Sequence, residues 1–72
     1  MKKGDVIKLN ETFLGIVIET KTYFDGEVWL TYKAITPKAF KGDVLTIQIN
    51  IRKDVEILGN VYESKLIKAL YS

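Results

Sequence analysis

A mainly β chain with one short C-terminal helix is the fold this sequence predicts, and three observations predict it. Apolar runs at 13–18 and 28–35 flank an Asp25-Gly26 dipeptide, the pattern of two strands joined by a tight turn. Residues 44–51 alternate strictly: Leu45, Ile47, Ile49 and Ile51 fall on one side and Val44, Thr46, Gln48 and Asn50 on the other, as in a half-buried strand. Near the end, Tyr62, Leu66, Ile67, Leu70 and Tyr71 recur at helical spacing behind Asn60 and Glu63, an N-cap and its capping-box partner.

The hairpin organises the rest. A two-residue turn at Asp25-Gly26 would pair Phe24 with Glu27 and set the apolar residues of the two strands on opposite faces. A three-residue loop, with Gly26 in the left-handed region, pairs Tyr23 with Glu27 instead. That register puts Leu14, Ile16, Ile18, Val28, Leu30, Tyr32 and Ala34 on one face. It is the register expected, because one shared buried face is worth several kcal/mol at roughly 25 cal/mol per Å² of apolar area removed from water. The opposite face then carries Phe13, Val17, Glu19, Lys21, Tyr23, Trp29, Thr31, Lys33 and Ile35.

In chain order, Gly4-Asp5 starts a first strand at 5–9, ended by Asn10-Glu11. The second strand, 12–23, holds Gly15, where a strand bends sharply enough to turn the corner of a small barrel. The third spans 27–35 and stops before Pro37, which cannot donate to a ladder. Phe40, in the following loop, is expected to plug an open end of the core. A fourth strand occupies 44–51, Arg52-Lys53-Asp54 makes a charge-balanced turn, and a fifth strand runs over 55–58. The helix is expected over 61–71, seated around Phe13, Val17 and Ile35, since a helix this short is marginal alone. Lys3-Gly4-Asp5-Val6-Ile7 and Lys41-Gly42-Asp43-Val44-Leu45 repeat the same signal, read here as one turn chemistry used twice to start a strand.

Seventy-two residues make one small domain whose core barely outweighs chain entropy, with no room for a second catalytic domain. With 47% hydrophobic and 28% charged residues the chain is expected to fold rather than stay disordered. Cysteine and histidine are both absent, so thiolate or imidazole metal ligands, disulfides and a histidine proton shuttle are excluded. No run approaches 18 apolar residues. A cytoplasmic protein with no cofactor, no metal and no membrane partner is expected. The net charge of +2 permits nucleic acid without requiring it.

The order of short strands, the long second strand with its internal glycine and the one-turn link before the last strand resemble a small SH3-like β-barrel. Lys3-Gly4-Asp5-Val6-Ile7-Lys8-Leu9 and Gly15-Ile16-Val17-Ile18 resemble the opening of KOW- and Tudor-type members. Ile51-Arg52-Lys53-Asp54-Val55-Glu56-Ile57 is similar to the last strands of Sm-like barrels, which carry their helix at the other terminus. The resemblance implies a five-stranded SH3-like barrel, here with a short C-terminal α-helix, that binds a partner rather than catalysing a reaction.

The candidate binding residues are Lys21, Tyr23, Trp29, Thr31 and Lys33 on the hairpin's second face, with Lys38 and Lys41 beside the Pro37 loop. Interleaved aromatics and lysines suit base stacking and phosphate contact; Trp and Tyr equally suit a protein partner. A third reading seats the C-terminal helix over Trp29. Glu19 and Glu27 on the same face weigh against phosphate. The aspartates beside Gly4, Gly26 and Gly42 have turn roles, no spacing forces two carboxylates together, and Ser64 has no base to activate it, so no enzyme is expected. The expectation is a non-enzymatic module for RNA or DNA, or else an adaptor or inhibitor that binds another protein, with room for a homodimer.

Overall fold

The computed structural model describes residues 1–71. Five strands, β1 (Asp5–Leu9), β2 (Phe13–Thr22), β3 (Val28–Thr36), β4 (Val44–Gln48) and β5 (Val55–Asn60), form one antiparallel sheet in the order β4-β3-β2-β1-β5. A single 3₁₀ turn, Lys38–Phe40, links β3 to β4, and a helix α1 (Lys65–Tyr71) ends the described chain. The fold is therefore mainly β, with the expected five strands and short helix. It is barrel-like but open, because β4 and β5 stand at separate edges of the sheet rather than closing on each other.

The hairpin loop takes the three-residue form. Gly26 N–H donates to the Tyr23 carbonyl at 3.0 Å, Tyr23 N–H donates to the Glu27 carbonyl at 2.8 Å, and Gly26 sits at φ 91°. From there Thr22 pairs with Val28, Lys21 with Trp29, Thr20 with Leu30 and Glu19 with Thr31. The ladder then slips: Val17, not Ile18, lies opposite Tyr32, so Ile18 is the extra residue of a β-bulge. A second irregularity follows between Leu14 and Gly15.

The bulge corrects the expected interior. One extra residue exchanges the two faces of β2 below it, so Gly15 and Val17 are buried while Ile18 is exposed. Leu14 and Ile16 leave the core face; Phe13 joins it. The core consists of Ile7, Leu9, Val17, Leu30, Tyr32 and Ala34, flanked by Phe13, Leu45, Ile47, Ile49 and Val55. Gly15 is required there by close approach: a Cβ would lie 2.3 Å from the Tyr32 ring. Phe40 lies against Phe13, the ring centres 6.0 Å apart, but it stays exposed rather than plugging the core end.

Two ends of elements move. β4 stops at Gln48 rather than residue 51, because Ile49 N–H reaches the last free carbonyl of β3, Val28, and the Asn50 side chain accepts the Val28 N–H at 3.0 Å. Arg52 N–H then closes a turn on Ile49, leaving Ile51 exposed, and the Arg52 guanidinium grips Asp54 through both oxygens at 2.9 and 2.7 Å. β5 runs on to Asn60, which is buried and donates to Asp5 Oδ1 at 2.9 Å and to the Lys3 carbonyl at 3.0 Å. Burial pushes the Asp5 carboxyl up, but the Asn60 amide and the Lys2 N–H outweigh it and hold the group below its ordinary range.

Asn60 is thus a strand end, and its Oδ1 accepts Tyr62 N–H in a local turn rather than capping a helix. The cap is Ser64, whose Oγ accepts Ile67 N–H at 3.2 Å, and Glu63 instead pairs with Lys2. Nor is the helix seated on Phe13 and Val17. Ile67 rests on Gly59, where a Cβ would meet it at 2.7 Å, and Tyr71 borders Ile16 and Ile35. Of the expected apolar stripe, Tyr62, Leu66 and Leu70 stay exposed. The two Lys-Gly-Asp segments share one backbone move. Gly4 and Gly42 lie at φ 89° and 90°, and the Asp5 and Asp43 N–H groups each donate three residues back, to Lys2 and Phe40.

Candidate binding groove on the outer hairpin face

Above the bulge the outward residues of three adjacent strands fall into register. Lys21 lies opposite Trp29, Glu19 opposite Thr31, and Thr31 opposite Thr46. With Tyr23 from the loop, these six line an open depression of about 450 Å³. The Trp29 indole N–H donates to Glu27 Oε1 at 2.9 Å, which fixes the ring's tilt at half burial. The Lys21 ammonium stands 5.7 Å from the centre of the Tyr23 ring, within cation–π range. Thr31 and Thr46 share a hydroxyl hydrogen bond at 3.1 Å across the strands. At the loop, Phe24 is fully exposed.

The seven residues singled out by sequence divide into three groups. Lys21, Tyr23, Trp29 and Thr31 meet in this groove. Lys33 and Lys41 border a second hollow of about 510 Å³, lined otherwise by Ile16, Ala34, Ile35, Gly42 and Tyr71. Lys38 lies exposed on the 3₁₀ turn and lines neither. Helix α1 packs against β5 and not over Trp29, which corrects the reading that the helix hides the tryptophan. Sequence reasoning did not select Thr46. Its signal lay in the alternation of 44–51, whose polar side joins the groove once β4 is paired to β3.

Charge is uneven along this face. Around the aromatic end, Lys21 is accompanied by Glu19, Asp25 and Glu27. The Asp25 carboxylate accepts the Glu27 N–H at 3.1 Å, and that bond holds its pKa below the ordinary value, so it is firmly anionic at neutral pH. Lys33, toward the other end of β3, and Lys41, in the loop before β4, border the second hollow, whose lining includes no carboxylate. Chemically, the groove offers aromatic faces, hydroxyls and mixed charge. Among the described residues, no three acidic side chains gather as a metal site would require, and no helix is long and apolar enough to cross a membrane.

Compared with protein-family models, with curated proteins and with solved structures, the chain matches none of them.

Proposed function

We propose that this chain is a small, non-enzymatic, cytoplasmic binding module of the SH3-like type, and that it holds a segment of another protein in the groove around Trp29. The strand order β4-β3-β2-β1-β5, the long irregular β2 and the one-turn link before β5 support the SH3-like reading. The absence of histidine and cysteine supports a binding role over catalysis.

One observation carries the choice of partner. The groove holds Glu19 and a single lysine, Lys21, and Glu27 is bonded to the Trp29 indole, a setting that disfavours a phosphate backbone and suits a polypeptide with apolar and basic side chains. A second reading, single-stranded nucleic acid, draws on Lys33 and Lys41. Lys33 continues the outer side of β3 beyond Trp29 and Lys41 borders the same hollow from the loop before β4, so a strand laid along β3 would stack at one end and meet ammonium groups at the other.

Trp29 is the only tryptophan and so reports on its own groove. The test is affinity capture from the source cells with wild type, Trp29→Ala and a Lys33→Glu/Lys41→Glu variant, alongside titration of a mixed-sequence oligonucleotide at low salt while Trp29 fluorescence is followed. A protein retained by wild type and by the lysine variant but lost with Trp29→Ala supports the proposal. Oligonucleotide binding that weakens steeply with salt and disappears in the lysine variant would replace it with the second reading.

A further inference from the structure

The two edges of the sheet are guarded differently. β5 is interrupted by a register shift, carries Glu56 and Gly59, and has the helix docked on it. Each of these discourages another strand from adding on. β4 has none of them. Val44-Leu45-Thr46-Ile47-Gln48 holds no charge, no proline and no glycine, and it pairs with β3 in an unbroken register. A five-residue, uncharged, regular edge is what folded proteins ordinarily avoid leaving open.

Which backbone groups face outward follows from the ladder. Ala34 N–H donates to the Asp43 carbonyl and Ile49 N–H to the Val28 carbonyl. Hydrogen-bonded pairs alternate in an antiparallel ladder, so Leu45 and Ile47 also spend their amides on β3. The amides and carbonyls of Val44, Thr46 and Gln48 point to the free side. These three are evenly spaced about Thr46, which makes the edge self-complementary.

We propose that β4 pairs antiparallel with β4 of a second copy, about a two-fold axis through Thr46 and perpendicular to the sheet. Thr46 then exchanges both bonds with Thr46 of the partner subunit, Val44 with the partner's Gln48, and Gln48 with the partner's Val44. Every free N–H on the edge meets a free carbonyl. On the inner side Leu45, already packed on the core, comes opposite the partner's Ile47 and continues the apolar layer. On the outer side no like charges meet: Val44, which is 60% exposed, faces a glutamine, and threonine faces threonine.

The pairing also completes the groove. Thr46 lines it and is bonded to Thr31, so the partner's Thr46, about 5.5 Å away between Cα atoms, extends that threonine row. The two grooves become one trough running across the axis. The other candidate, β4 of one copy on β5 of the next, meets the register shift and Glu56, and would build rings or open chains rather than a closed pair.

The interface is at the small end of those that hold, so a dimer with a dissociation constant of roughly micromolar or weaker is expected. The experiment is the mass of the full chain across a concentration series by sedimentation, together with amide exchange measured at both ends of it. The mass is expected to rise from one to two times 8.2 kDa and stop there, while the amides of Val44, Thr46 and Gln48 become protected together. Thr46→Lys places two ammonium groups face to face across the axis and should raise the dissociation constant roughly tenfold or more. A monomer up to about 1 mM, growth beyond two copies, a dimer indifferent to Thr46→Lys, or a dimer without protection at those three amides would each overturn the proposal. The exchange measurement needs no variant, and the result is independent of what the groove binds.

Discussion

The two halves of β2, below and above the bulge at Ile18, are put to opposite uses. Below it, Phe13, Gly15 and Val17 face the core, with Gly15 buried under the Tyr32 ring and Val17 1% exposed. Above it, Thr20 lies opposite Leu30 with its hydroxyl buried and no hydrogen-bond partner, while Thr22, opposite Val28, is exposed. The outward side of that upper half carries the groove. A single irregularity thus separates a stretch that stabilises the fold from one that positions side chains for a partner. The lesson concerns register: the same alternating pattern serves two faces once one residue is set aside.

Substitutions can break or sharpen that contrast, and the largest effect is expected at Gly15. Gly15→Ala drives a methyl into the Tyr32 ring, which cannot yield without disturbing the core, and should cost about 3 kcal/mol in chemical denaturation. Val17→Ala removes buried methyl groups and should cost about 2 kcal/mol, whereas Ile18→Ala, at the exposed bulge, should cost well under half of that. If the two positions respond alike, the division at Ile18 is wrong. Above the bulge the sign reverses. Thr20→Val keeps the shape, removes the unpartnered hydroxyl, and should stabilise by about 1 kcal/mol. At the tip, Phe24→Ala should change stability by less than about 0.5 kcal/mol, because that ring touches only solvent in the free protein.

Much of this was legible in the residues. The apolar runs around the Asp25-Gly26 dipeptide located the hairpin, the alternation of 44–51 located β4, and the three-residue turn expected is the one found, although the shared face of Leu14, Ile16 and Ile18 that argued for it is not. What the pattern did not disclose was the bulge. Val17 and Ile18 are equally apolar, and when neighbours are interchangeable the choice of which one turns inward falls to cross-strand geometry, here the contact of Tyr32 with Gly15. The helix boundary was misplaced for a similar reason. Asn60 and Glu63 have the chemistry of a capping box, yet the Asn60 side chain is anchored in β5 by the buried Asp5, its Oδ1 accepts Tyr62 N–H in a local turn, and Glu63 pairs with Lys2. Four of the seven candidate binding residues meet in one groove because their positions lie above the bulge, where the alternation counted from the turn still holds. Lys38 was grouped with the others by charge and sequence proximity alone, neither of which constrains where a loop residue comes to lie.

The most direct test is a cross-strand nuclear Overhauser map of β2 against β3 in solution. Backbone contacts of Val17 with Tyr32 and of Glu19 with Thr31, with Ile18 opposite no residue, are the predicted result. An unbroken ladder with Ile18 opposite Tyr32 and Val17 opposite Lys33 would turn the lower half of the strand over and contradict the core described above.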